Sequence, residues 1–494
     1  MTDRDFELLL EEEMTALPPG DELVTEITPW RNAMNRILIG LGLATIEVNF
    51  LMLNAFLPMI GNVMMLLGFR TLRRENRWFT LGYWMTILRT LYFLVWQFLK
   101  ATIFYETASG SPVAEQITYM MLAVVFLQLL SLGQGIRCVR RKAASDAYAG
   151  GTTALLIMYC IMVVLGFIEY SGFGGWLILI IYVVILRALW ELSKALDEAG
   201  YTIAAAPVRV SDDSIKTAYT LVIIASLLAG LLFFSRYPMD WQEVEIPAES
   251  DTKLEALDFP DYVLADLTEA EIEACLGAKA VYVETEEIAF NDGVQITESD
   301  GYSFYTHTEY PVKELLITHV AVRPAKDTDP WIVIHHFLWR EKPGYRGTEA
   351  LQIWPGYMKN DGWGKGTNLS GRVLYDRNGV TYASPYHSLE ETTYTAAGFF
   401  GAYENTDITA TFSIPARSES FRGYVFYDLE MIEEGWLLSS WCNYHRQAYP
   451  NYPIQTAADF SKSGFSIGRN DFDRRQSQLQ LWWDEIEGPF EPND

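Results

Sequence analysis

Cysteine is scarce in this chain, with four in 494 residues. Cys138 and Cys160 lie in an apolar first half, while Cys275 and Cys442 lie 167 positions apart in a polar second half. Because no CxxC or Cys/His cluster is present, the sequence carries no signature of a structural zinc site. For Cys275 and Cys442, two alternatives stay open: a disulfide in an oxidising compartment, or two unpaired buried thiols.

Hydrolytic chemistry also has no foothold, since the motifs GxSxG and Ser-x-x-Lys do not occur in a persuasive setting. All six histidines fall in the second half, and none has the HxH or HxxxH spacing of a metal site: His307, His319, His335, His336, His387 and His445. His335 and His336 are adjacent on a predicted strand, so their side chains should point to opposite faces. We therefore expect no catalytic residue, no metal and no cofactor.

Basic residues are few in the second half. Residues 237–494 contain 43 acidic and 19 basic residues, a net charge of −24. Such a domain repels nucleic-acid phosphates, so we expect no nucleic-acid partner.

Long apolar runs occur only in the first half. Residues 37–69, at about 1.5 Å per residue, would make a helix of about 50 Å, whereas one membrane crossing needs about 30 Å. Asn54 and Pro58 are turn and break signals near its middle, so we predict two short helices, about 37–53 and 57–70. Five further spans are predicted at about 79–104, 117–137, 152–170, 173–190 and 217–235.

Lys and Arg collect in alternate loops, as they do on the cytoplasmic side of membranes. Seven spans with a cytoplasmic N-terminus leave the three outer segments, "NAF", "ETASGSPVAE" and "SGF", without Lys or Arg. A six-span alternative must place Arg31 and Arg36 outside. Either count predicts a transmembrane domain over residues 31–236, with the C-terminal domain extracytoplasmic.

Two charged residues fall deep inside the predicted spans, away from their ends. Glu47 lies 11 residues from Arg36, and Arg89 lies 12 residues from Arg77, so both sit roughly 16–18 Å deep. Charges at such depth usually pair or face a cavity. We predict a structural Glu47–Arg89 ion pair, with a solute or proton pathway as the alternative.

The first 30 residues form an acidic tail with nine acids and one base. The stretch "DRDFELLLEEEMTALPPG" has the spacing of a short amphipathic helix, which Pro18, Pro19 and Gly20 end. We predict a cytoplasmic tail that either only solubilises the protein or binds a cytoplasmic protein.

The second half is predicted to be β-rich. Residues 237–260 read as a polar stalk, followed by a short helix that Thr268 caps. Over residues 261–494 nine or more alternating segments, separated by turns such as Asn378-Gly379, predict an antiparallel β-sandwich or jelly roll.

Aromatic residues mark one loop of this domain. "WPGYMKNDGWGKG" places Trp354, Tyr357 and Trp363 among glycines. Exposed rings on such a loop suit ligand stacking, and the alternative is that they anchor the loop to the sheet.

Four segments, "ITPWRNAMNRIL", "LLGFRTLRRENRWF", "IHHFLW" and "LQIWPGY", resemble multi-pass membrane proteins of Gram-positive anaerobic bacteria, an uncharacterised family. The resemblance implies a bacterial plasma membrane and no known activity. We expect an integral membrane protein, in contact with the lipid bilayer, whose external β domain binds or senses a ligand or an envelope component. A cell-surface enzyme and a transporter or channel subunit that uses Glu47 and Arg89 are the alternatives.

Overall fold

The computed structural model describes residues 28–45, 53–143, 150–168, 174–201, 203, 209–245, 252–299, 304–326, 329–355, 363–398, 401–431, 437–462 and 471–482. The chain forms two compact units. One comprises Met1–Leu99 and Thr107–Leu228, and the other comprises Lys100–Glu106 and Ala229–Asp494. The predicted N-terminal helix lies outside the described residues.

The first unit is helical. Its helices of 17 residues or more are α1 Pro29–Thr45, α2 Leu53–Leu72, α3 Arg77–Leu99, α5 Pro112–Lys142, α6 Gly150–Phe167, α7 Gly174–Glu198 and α8 Asp212–Phe233, and the short helix α4 is Tyr105–Ser109. Four of them, α5 to α8, are long and apolar enough to cross a membrane. This region therefore has the composition of a membrane-associated bundle.

Helices α1 and α2 pack against each other in opposite directions. A Cβ on Gly40 would lie 2.6 Å from the carbonyl oxygen of Gly61, and one on Gly68 would lie 2.7 Å from that of Ala33. Small residues at these contacts let the two backbones approach closely. The apolar stretch therefore forms two antiparallel helices, as the sequence predicts.

The predicted break within this stretch is wrong, because Asn54 and Pro58 both lie inside α2. A proline in the second turn of a helix has no N–H to donate to the carbonyl four residues earlier, so packing of α2 must outweigh this cost. The connection falls within residues 46–52, outside the described part of the chain.

Ion pairs join several helix ends of this unit. Asp212, at the start of α8, is 2.6 Å from Arg36 of α1 and 3.3 Å from Arg70 of α2. Lys142, at the end of α5, is 2.5 Å from Glu75, which follows α2. These contacts place the start of α1, the ends of α2 and α5, and the start of α8 at one end of the bundle.

The second unit is mostly β. Its strands are β1 Gln242–Val244, β2 Ala280–Ile288, β3 Val294–Ser299, β4 Phe304–Glu309, β5 Leu315–Arg323, β6 Trp331–Trp339, β7 Glu349–Pro355, β8 Trp363–Arg377, β9 Val380–Pro385, β10 Ser388–Gly398, β11 Gly401–Phe412, β12 Glu419–Met431, β13 Leu437–Gln447 and β14 Phe472–Trp482. Its short helices are α9 Thr252–Glu255, α10 Asp261–Leu264, α11 Glu269–Cys275 and α12 Ala457–Lys462.

The strands form three antiparallel sheets among the described residues. Their orders are β1-β9-β8-β12-β6-β5-β2, β10-β11-β7-β13-β14, and the separate pair β3-β4. The turn between β8 and β9 has positive φ at Asn378 and Gly379, the conformation that their sequence predicts.

The two larger sheets share a hydrophobic cluster. Val333 and Phe337 come from the seven-stranded sheet, while Ile353 and Phe412 come from the five-stranded one. The rings of Phe337 and Phe412 stack at 5.2 Å. Alternate residues on neighbouring strands thus bury one face of each sheet.

The other face of the seven-stranded sheet is covered by the short helices. Thr268 caps α11 in a capping box with Glu271, which confirms the predicted cap. Residues 237–260, predicted as a stalk, instead supply strand β1 to the sheet and Leu254 and Phe259 to its second cluster. Burial of these two large apolar side chains is favourable. The sequence does not predict it, because the segment as a whole is polar.

Candidate functional site

Strands β3 and β4 form a hairpin that pairs with no other described strand. Its exposed apolar side chains include Phe304, 81% exposed, together with Val294 and Tyr305. Isolated two-stranded hairpins are marginally stable in water. Packing in a hydrophobic core therefore does not explain why this hairpin carries aromatic and apolar side chains.

The base of this hairpin is held by one carboxylate. Glu314 accepts hydrogen bonds from the backbone N–H of Phe290, at 2.8 Å, and from the Asn291 amide, at 2.7 Å. Asn291 in turn accepts a hydrogen bond from the N–H of Gly293, whose φ is +64°. The sequence Asn-Asp-Gly thus fixes where the hairpin leaves the sheet.

A cleft of about 320 Å³ opens at the hairpin base. It lies where the end of β2 meets the start of β14, and it is lined by Glu286, Glu287, Ile288, Ala289, Tyr310, Lys313, Arg475 and Gln476. These residues are up to 190 positions apart, so only the tertiary fold brings them together.

Two cations of the cleft are not ion-paired within the described part of the chain, since no carboxylate there lies within 4.0 Å of Lys313 or Arg475. Glu287 is already paired with Arg340 at 2.6 Å, which leaves Glu286 as the other uncompensated charge. The cleft lining thus holds two cations and two carboxylates, and within the described residues only Glu287 of these four groups is ion-paired.

The wall behind the cleft positions Arg475. Its Nε donates to the carbonyl of Ala289 at 3.0 Å, and its guanidinium lies 5.5 Å from the ring centroid of Phe290. The guanidinium of Arg446 lies 5.5 Å from the same ring centroid. Cation–π contacts of this kind hold the arginine while leaving its terminal N–H groups available.

A buried acid lies beyond this wall. Glu349 is directly opposite Arg446 across the sheet and is fully buried. Burial raises the pKa of the Glu349 carboxyl well above its usual value, although the Arg446 charge opposes the shift. Burial thus disfavours the charged form of Glu349, although it lies next to Arg446.

This geometry suits recognition more than catalysis. A carboxylate or phosphate can accept from the terminal N–H groups of Arg475 and from the Lys313 ammonium, and charge-assisted bonds of this kind are strong. Glu286 can accept from an ammonium group of the same ligand. The cleft thus has the charges to bind an anionic or a zwitterionic molecule.

The buried histidines form a second polar cluster, between the two larger sheets. The Nδ1 atoms of His319 and His335 are hydrogen-bonded at 2.5 Å, and the Nε2 atoms contact Ser477 and Ser440 at 2.6 and 2.8 Å. Burial lowers the pKa of His319 to about 3 and also lowers that of His335. Both rings are therefore neutral at physiological pH.

His336 points the opposite way, which confirms the prediction for adjacent strand residues. Its Nε2 lies 2.8 Å from Asp266, which also accepts from Nε of Arg422 at 2.8 Å. Burial would raise the pKa of Asp266, but His336 and Arg422 outweigh it and hold the pKa below its usual value. This network joins the sheet to the short helices rather than forming an open site.

Of the three rings of the predicted aromatic site, only that of Trp354 is among the described side chains. Trp354 is half-buried at the end of β7, and its carbonyl accepts from Ser440 at 3.4 Å. Tyr357 lies outside the described residues, and Trp363 starts β8 with only its backbone described.

Cys275 and Cys442 are both free and buried, each in a different hydrophobic cluster. The structure therefore has unpaired thiols rather than a disulfide. Of the predicted intramembrane pair, Glu47 lies outside the described residues, and Arg89 donates to Gln128 at 3.2 Å.

Sequence reasoning missed the cleft. Lys313 and Arg475 carry no motif, and neither residue stands out from the many charges around it. A local signal is the set of aromatic and apolar residues that the hairpin and the segment after it leave exposed: Val294, Phe304, Tyr305, Tyr310 and Val312.

Comparisons with known proteins do not assign this site. No protein-family model matches the chain, and no curated protein matches it. Among solved structures, one described as "AvmM Catalyzes Macrocyclization in Alchivemycin A Biosynthesis" is 13% identical, with a TM-score of 0.18, over 34% of this chain and 85% of that chain. A TM-score of 0.18 is too low to support a functional inference, so function is inferred from the site alone.

Proposed function

We propose that this protein is a multi-pass protein of a bacterial plasma membrane whose extracytoplasmic β-sandwich domain binds a small anionic or zwitterionic ligand at the hairpin cleft. The observation that carries the proposal is the pair of cations, Lys313 and Arg475, without a carboxylate partner among the described residues. Ligand binding there is the sensing step, and the acidic N-terminal tail is the element through which a cytoplasmic partner would receive it.

Seven spans are the arrangement that we infer for the helical unit. The ion pairs of Asp212 and Lys142 support this arrangement, because they hold several helix ends together at one end of the bundle. The same helix ends carry Lys and Arg in the sequence. Basic residues mark the cytoplasmic side. An odd number of spans then puts the C-terminal domain on the opposite side.

The ligand class follows from the charges that line the cleft. Arg475 suits a carboxylate because its planar guanidinium offers paired N–H donors. Glu286, at the same cleft, suits an ammonium group. A dipeptide carries both groups and is the simplest probe of this chemistry.

The proposal is tested on the full-length protein in lipid nanodiscs. We expect a dipeptide such as alanyl-alanine to bind, and its C-terminal amide to bind at least tenfold more weakly, because the amide removes the charge that Arg475 recognises. Arg475→Gln should weaken dipeptide binding by a similar factor in calorimetric titrations, and Lys313→Gln by a smaller one.

Lys342→Gln is the matched control, since Lys342 is an exposed lysine of the same domain that does not line the cleft. Dipeptide, amide, acetate and phosphate that all fail to bind would overturn the proposal. Equal binding by Arg475→Gln and the wild-type protein would place any observed site elsewhere.

A further inference from the structure

A second cavity lies within the helical unit. Its volume is about 480 Å³, and it opens between α3, α5 and α6. Its lining is apolar, from side chains such as Met121, Val125 and Val163, except for the guanidinium of Arg89 and the hydroxyl groups of the lining threonine and tyrosines. The rings of Tyr119 and Phe167 stack at 6.1 Å and bound one side of it.

Arg89 is held at this cavity by a buried amide. Its Nη1 donates to Oε1 of Gln128 at 3.2 Å, and the amide nitrogen of Gln128 donates to the hydroxyl of Thr86 at 2.7 Å. Gln128 is only 2% exposed, so its position is fixed by packing. The other N–H groups of Arg89 are not used by this contact.

Arg89 has no carboxylate within 4.0 Å among the described residues. A charged side chain at this depth costs several kcal/mol unless it is paired. Since the cavity walls are apolar, an anion that brings its own apolar body would complement both the guanidinium and the walls. Charge complementarity and lining therefore point to the same kind of molecule.

We propose that this cavity binds a single-chain carboxylic amphiphile of the fatty-acid type, with its carboxylate on Arg89 and its chain against the walls of α5 and α6. A cavity of about 480 Å³ with apolar walls suits one acyl chain. A monovalent carboxylate also matches the single guanidinium.

The test uses the full-length protein in detergent and the displacement of a fluorescent polyene fatty acid. Palmitate should displace the probe, whereas methyl palmitate, which lacks the charge, should do so at least tenfold more weakly. Arg89→Gln should weaken probe binding at least tenfold, and Arg89→Lys should restore part of it.

Val163→Trp fills the cavity while keeping Arg89, and it should also abolish probe binding. Arg77→Gln is the control, because Arg77 begins the same helix but does not line the cavity. If Arg89→Gln does not fold, Val163→Trp and the methyl ester still decide the question.

Glu47 is the predicted competitor for the same guanidinium. If it occupies Arg89, Glu47→Gln should tighten probe binding; if it does not, the variant should match the wild-type protein. Either result supports an anion site at Arg89. The proposal is overturned if neither the wild-type protein nor Glu47→Gln binds the acid, or if acid and methyl ester bind equally.

Discussion

The paired histidines of the β domain show how burial sets the charge of a residue. Two neutral rings joined through their Nδ1 atoms require one donor and one acceptor, and the serines at the outer Nε2 atoms satisfy either order. Adding a proton places a charge where no carboxylate is hydrogen-bonded to either ring. The network therefore stabilises the fold only while both rings are neutral.

This network predicts a loss of stability in mild acid. The pKa of His319 is lowered to about 3 in the folded protein and that of His335 is also lowered, whereas an unfolded histidine has a pKa of about 6.5. The unfolded state thus binds protons first, so stability is complete above pH 6.5 and falls below it. Well below pH 6.5 the slope that His319 contributes should approach about 1.4 kcal/mol per pH unit, and His335 adds to it in the same direction.

Urea unfolding followed by tryptophan fluorescence between pH 7 and pH 5 measures the slope. A His319→Gln, His335→Gln double variant should show a shallower dependence than the wild-type protein, whatever its starting stability. His307→Gln, on the exposed hairpin, should leave the slope unchanged. Parallel curves for the double variant and the wild-type protein would contradict the assignment.

At the scale of single elements, the α1–α2 hairpin depends on glycine more than on apolar side chains. Gly40 and Gly61 face each other so closely that a Cβ on either would lie 2.6 Å from the opposite carbonyl oxygen. Atoms at that distance must move apart, and backbone atoms cannot do so without separating the helices. The contact is therefore specific to glycine.

We expect Gly40→Leu to destabilise the helical unit by several kcal/mol, as overpacking at a helix contact does. Gly166→Leu is the matched control, since nothing lies within 4 Å of its Cβ position. Thermal unfolding in detergent should show a lower midpoint for Gly40→Leu and little change for the control. Equal midpoints would show that the two helices do not pack through Gly40.

At the scale of the whole molecule, the distribution of charge predicts the orientation. The turn after α2 is rich in arginine, and the β unit is strongly acidic. An acidic domain on the outer side is compatible with the positive-inside rule, because that rule counts Lys and Arg in short loops. Our proposal therefore places residues 73–76 inside and residue 378 outside.

Cysteine accessibility on intact cells tests this orientation. Asn378→Cys lies in the exposed turn between β8 and β9, and Arg74→Cys lies in the exposed turn before α3. An impermeant maleimide should label the first on intact cells and the second only after permeabilisation, with the wild-type protein as background. The reverse pattern would place the β domain in the cytoplasm and remove the proposed sensing role.

The sequence by itself determined the division into an apolar helical half and a polar β half. It also determined most helix positions, the turn at Asn378-Gly379 and the Thr268 cap. These features depend on local propensity and on periodic burial, which are written in consecutive residues. The opposed directions of His335 and His336 followed from the same periodicity.

Only the tertiary structure decided which distant residues meet. Lys313 and Arg475 line one cleft, and residues 242–244 of the predicted stalk pair with β9, because contacts between strands far apart in sequence set both outcomes. Pro58 lies inside a helix whose start the sequence did not reveal, since packing against α1 outweighs one lost hydrogen bond. Local patterns carry no information about such contacts, because their free energy arises only after the chain has folded.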